Sequence, residues 1–114
     1  MTAKQTEKML RLARVLREIT YDAGFAMVHG AQPEALAFLT IQYNNILRYL
    51  TEAMPLLADR RAPLPADASS AAIRMAARSL AAYLEERFAP KPPRPMADWL
   101  EAFLARHKTH FSMG

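Results

Sequence analysis

The chain has 114 residues, 52% of them hydrophobic and 23% charged, with a formal net charge of +4 and no cysteine. That size admits one modest core and excludes two ordinary domains, and that composition excludes a disordered chain. The three glycines, at 24, 30 and 114, exclude a glycine-rich phosphate loop, and the missing cysteines exclude disulfides, thiolate metal sites and cysteine nucleophiles.

The first element begins at Thr2-Ala3-Lys4-Gln5, which has the form of a capping box. Apolar residues then recur at Met9, Leu12, Leu16, Ile19, Ala23 and Ala26, a stripe with alternating steps of three and four. Gly30 stands where a helix of this phase should end. Gly24 falls inside the helix and is expected to mark a bend or a close helix contact.

Pro33 and Glu34 suit the first turn of a second helix. Its stripe is Leu36, Leu39, Tyr43, Ile46, Leu50 and Ala53. Phe38, Ile41, Leu47 and Tyr49 widen the apolar surface beyond one face. This helix is therefore expected to be the most buried, or to meet a partner on a second side. Pro55 should end or kink it.

The stretch 59–68, DRRAPLPADA, reads as a loop, with Asp67, Ser69 and Ser70 as candidate caps for a third helix. That helix carries Ile73, Ala77, Leu80, Leu84 and Phe88. PKPPRP, residues 90–95, reads as a stiff connector. A fourth helix is expected from Pro95, with Met96, Trp99, Leu100, Phe103 and His107 on its apolar side. No strand-like alternation competes, so the expected fold is all-α, a four-helix bundle-like single domain over 1–114.

Little in the chain points to catalysis or to a cofactor. His107 and His110 share a helix face, but no Glu-x-x-His motif accompanies them, so no metal site is expected. Glu85-Glu86 reads as a solvated helix end, and none of the four serines has a nucleophile-elbow context. The longest uncharged run, residues 35–47, is thirteen residues, too short to span a membrane. The polar N-terminus MTAKQTEK has no apolar signal core, so a cytoplasmic protein is expected.

The basic residues carry the strongest signal. Eleven of the fifteen cations are arginine, the better phosphate ligand, although GC-rich coding also raises arginine and alanine together. Lys4, Lys8, Arg11 and Arg14 fall within roughly a 120° arc opposite the apolar stripe, and Arg17 extends it. Glu7, Glu18 and Asp22 dilute that patch. Arg87, Lys91, Arg94, Arg106 and Lys108 form a second concentration, and Arg60-Arg61 a third. Arg74 and Arg78, one turn apart on the third helix, are weaker candidates. Such groups can track a phosphate backbone without reading bases. The competing account is an ordinary solvated helix face laced by i,i+4 pairs such as Arg14 with Glu18.

Ala26, Gly30, Leu36 and Leu39 also match a helix-turn-helix pattern, which would imply a dimeric DNA-binding regulator. The helix that follows is longer than a recognition helix usually is, and rich in apolar groups.

Residues 30–39, GAQPEALAFL, pair a glycine turn with an ALAFL helix start. This feature resembles the small helical subunits of CRISPR effector complexes, and the short, helical, cysteine-free, basic plan is similar too. The resemblance implies a non-catalytic antiviral-defence subunit, stacked in several copies along a guide RNA. A basic face would then hold the target or displaced strand. No functional residue carries over from the family, so the cations named above rest on charge clustering alone. The expected partners are RNA or single-stranded DNA within a multi-subunit complex. The rival expectation is a protein–protein module or homo-oligomer using exposed Tyr43, Tyr49 and Trp99.

Overall fold

The structure, a computed structural model, describes residues 2–90 and 103–106. These residues form an all-α, helical-bundle-like arrangement, with no strand among them.

Helix α1 is Ala3–His29. Thr2 caps it as its sequence suggests. The Gln5 amide donates to Thr2 Oγ1 at 3.2 Å, and the Thr2 amide donates to Gln5 Oε1 at 2.9 Å. The helix buries Met9, Ala13, Leu16, Ile19, Ala23 and Ala26. It stops at Gly30, whose φ of 79° suits glycine and whose amide donates to the Ala26 carbonyl. Gly24 causes no break in α1. A Cβ there would meet only the Arg74 side chain, at 3.4 Å, so no backbone presses against it.

Helix α2 is Pro33–Ala53, and Pro55–Asp59 forms a 3-10 turn directly after it. Helix α3 is Ser70–Phe88, capped by Ser69, whose hydroxyl accepts from the Ala72 amide at 3.1 Å. The expected fourth helix falls mostly outside the described residues, and residues 103–106 within it are helical.

The principal packing is α1 against α3. Arg17 meets Glu85 while Gly24 lies beside Arg74, so the partner number falls as the α1 number rises and the two helices run antiparallel. Ala13 and Ala23 of α1, and Ala77 and Ala81 of α3, are buried together with Leu16, Ile19, Ile73, Leu80 and Leu84. Small side chains let the two backbones approach, and each buried leucine or isoleucine contributes about 1.5–3 kcal/mol.

Helix α2 departs from the expectation that it would be the most buried. It leans on the α1–α3 pair through Leu39, Thr40, Tyr43, Leu47 and Leu50, and leaves Phe38 60% and Ile41 58% exposed. Strict 3,4 spacing drifts by about 20° per heptad on a straight helix. The buried line therefore takes in Leu47, and Ala53 at the end of the expected stripe is exposed. Tyr43, expected among the exposed aromatics, is 2% exposed and belongs to the core.

The 59–68 loop is tied down from α2. The Asn44 amide donates to the Leu64 carbonyl at 2.9 Å, and the Leu64 amide donates to Asn44 Oδ1 at 2.8 Å. Asn44→Ala is expected to leave both Leu64 groups unpaired, costing about 1–3 kcal/mol and lowering the melting midpoint by roughly 5–15 °C in a circular-dichroism melt. Gly24→Ala is expected to act oppositely, raising stability by about 0.5–1 kcal/mol in the same melt, because only a flexible side chain has to move.

Candidate nucleic-acid interface

Every basic side chain in the first half of α1 is exposed, because the buried line of that helix faces α3 and α2. The side chains of Lys4, Arg11 and Arg14 make no hydrogen bond or ion pair with other described residues. Lys8 lies over the Tyr49 ring of α2, 4.5 Å from its centroid, a contact worth about 0.5–1 kcal/mol at an exposed site.

Arg17 differs from its neighbours. Its Nε and Nη2 both donate to Glu85 Oε1, and this is the only ion pair among the described residues. The Glu85 hydrogen bond holds the Arg17 guanidinium more firmly protonated, against a small burial effect. Both partners are more than two-fifths exposed, so the bridge is worth at most about 1 kcal/mol. Arg17 therefore joins α1 to α3 and offers less to a ligand than Lys4, Lys8, Arg11 and Arg14.

The i,i+4 pair of Arg14 with Glu18, which an ordinary solvated face would favour, does not form. Glu7 and Glu18 are exposed and make no ion pair within 4.0 Å, so no carboxylate neutralises the row directly.

Arg60 and Arg61 sit just past the 3-10 turn and serve different ends. Arg60 is exposed and has no side-chain partner among the described residues. Arg61 is half-buried, donates to Ser79 Oγ at 2.9 Å and covers the Tyr83 ring at 5.7 Å. It also acts on Tyr43. Burial pushes the Tyr43 hydroxyl's pKa up, and the Arg61 guanidinium pulls it partly back. Arg74 is half-buried beside Gly24, and Arg78 is exposed on α3. Arg48, which the sequence does not single out, donates to Asn45 Oδ1.

The other sequence candidates separate in the same way. Tyr49 is 37% exposed beneath Lys8. Trp99, His107, His110, Lys91, Arg94 and Lys108 lie outside the described residues. Among the described residues no three His, Asp or Glu side chains come together to hold a metal. No helix among them is long and apolar enough to cross a membrane. The helix-turn-helix reading meets a chemical obstacle, since the exposed side of α2 presents Phe38 and Ile41 and carries no cation before Arg48. A recognition helix reads base edges with polar groups.

The sequence pointed only to the α2 half, Phe38 and Ile41, of an apolar surface where α1 ends and α2 begins. Tyr21, Phe25, Val28, Phe38 and Ile41 are each more than half exposed. Phe25 and Phe38 line one open groove of about 520 Å³, and Phe25 also packs on His29 with ring centroids 4.3 Å apart. The available signal was that Tyr21, Phe25 and Val28 lie off the α1 stripe and yet are large and apolar. Comparison with protein-family models, with curated proteins and with solved structures finds no match for this chain.

Proposed function

We propose that this chain is a non-catalytic helical subunit of a cytoplasmic ribonucleoprotein assembly, and that it binds nucleic-acid backbone through the exposed face of α1. The observation that carries this reading is the row Lys4, Lys8, Arg11 and Arg14, four exposed cations on one helix face that form no ion pair with a carboxylate among the described residues. Phosphates are the ligands that such a row suits, because each neutralised phosphate releases counterions and no base-specific geometry is required. The resemblance of residues 30–39 to the small subunits of CRISPR effector complexes supports placing it in such an assembly, in an antiviral-defence role. Several copies held in an array would sum weak contacts by avidity.

The test is fluorescence anisotropy with labelled single-stranded RNA and DNA. Four phosphate contacts on a single strand give a log–log salt slope of about −2.8, so a rise from about 50 to about 200 mM salt should weaken binding roughly 50-fold. The combined variant Lys8→Glu, Arg11→Glu, Arg14→Glu should abolish binding and keep the helical circular-dichroism signal. Binding with no salt dependence, or a fully active triple variant, would overturn the reading.

A second reading is a protein–protein module or homo-oligomer, and the groove lined by Phe25 and Phe38 favours it. Both side chains are more than half exposed, so replacing them by serine should change stability by no more than about 0.5 kcal/mol. Under this reading the same change abolishes self-association seen by sedimentation, while the α1 triple variant still associates.

A further inference from the structure

We propose that the groove between the 3-10 turn and the C-terminal half of α3 is a second, separate binding site, one that takes the phosphate of a nucleotide unit. The groove encloses about 770 Å³ and is lined by three guanidinium groups, from Arg60, Arg61 and Arg87. Asp59 is the one carboxylate in its lining, and it makes no ion pair within 4.0 Å with any of the three. Arginine stays protonated at any working pH, so three positive charges line the groove against one carboxylate, an excess of two. A bound anion relieves that repulsion, and planar guanidinium forks match phosphate oxygens.

Two of the three arginines are held ready by a single side chain. The Tyr83 ring lies under Arg61, 5.7 Å from its guanidinium carbon, and the Tyr83 hydroxyl accepts from Arg87 Nη1 at 3.4 Å. Arg61 spends one further donor on Ser79 Oγ. Because Ser79 accepts that bond, its own hydroxyl hydrogen remains free to donate into the groove. Arg60, exposed and with no side-chain partner among the described residues, supplies the third cation.

The helix dipole favours a cation at the last turn of α3 and so accounts for Arg87 alone. It does not account for Arg60 and Arg61, which come from the loop. The apolar rim selects further. Pro55 and Leu56 line the same groove, and Leu56 is 81% exposed. Apolar surface beside a phosphate site suits a sugar and base attached to the phosphate better than it suits the bare ion. A nucleic-acid strand and a free nucleotide both offer that chemistry. If the strand is the source, the site deepens the reading above. It rests on different side chains from the α1 row, so the two fail separately.

The full chain, Arg60→Ala with Arg87→Ala, and the α1 triple variant should be titrated with two probes. The probes are adenosine monophosphate, followed by calorimetry, and a labelled single-stranded oligonucleotide, followed by anisotropy. Arg60 and Arg87 are both exposed, and neither is the residue that locks the loop. The expected result is at least about a tenfold loss in the double variant for one probe, with the melting curve unchanged. Loss with adenosine monophosphate, retained by the α1 triple variant, identifies a free nucleotide as the source. Loss confined to the oligonucleotide identifies a strand phosphodiester. Equal affinity of wild type and double variant for both probes, or no wild-type binding of either, overturns the proposal. If the double variant melts early, Arg60→Glu alone carries the same test, because its wild-type side chain has no partner among the described residues to lose.

Discussion

The structure depends on the close antiparallel pairing of α1 with α3. Ala13 and Ala23 on one helix, and Ala77 and Ala81 on the other, are almost completely buried. Where side chains are this small, the backbones can approach, and the larger Leu16, Ile19, Leu80 and Leu84 fill the space on either side. A bulkier residue at any of the four alanines would force the axes apart and strain the leucines packed between them. Helix α2 has no such seam. It rests on the pair through a single line of residues, and this is why Phe38 and Ile41 stay more than half exposed.

That pairing also decides which charges are free. It turns one face of α1 inward, so the opposite face, with Lys4, Arg11 and Arg14, can only meet solvent or a ligand. Where α1 touches α3 at its flank, Arg17 has been drawn into a bridge with Glu85. Where the loop returns across α3, Arg61 has been drawn onto Ser79 and Tyr83. Asn44 makes this return possible by satisfying both backbone groups of Leu64, which fixes the height at which Arg60 and Arg61 leave the loop. The packing thus sorts arginines that look alike in sequence into ones that hold the fold and ones that are available.

The helices were legible because each has a local cause. The Thr2 and Gln5 box, the Pro33 start, the Pro55 stop and the Ser69 cap all act within a few residues; the pattern places the first two outright, leaves Pro55 to end or kink α2, and offers Ser69 beside Asp67 and Ser70. Burial was less legible. Tyr43, on the α2 stripe, suits core filling or an exposed patch in sequence, because a pattern within one helix does not say what stands across from it, and the structure puts it in the core. Phe38 and Ile41 widen the apolar surface of α2, which in sequence suits either deeper burial or a partner on a second side, and their exposure excludes only the first. The Arg61, Tyr83 and Arg87 arrangement was out of reach for a further reason. It joins a loop to a helix across more than twenty residues of sequence, and no periodicity spans that distance.

Base composition remains the simplest account of the number of arginines, since alanine is abundant beside them. It makes no statement about their placement. A coding bias would scatter arginine over the solvent side of every helix, with carboxylates nearby as often as chance allows. Here Arg11 and Arg14 share a face with Lys4 and Lys8, and the nearest acidic residues on that helix form no pair with them. Three more guanidiniums line one groove, two of them braced by the same tyrosine. Holding like charges together costs Coulomb energy that a scattered arrangement avoids. The α1 row bears that cost in solvent, where it is small. The groove bears it beside an apolar rim, where the same charges interact more strongly and an anion gains most by entering.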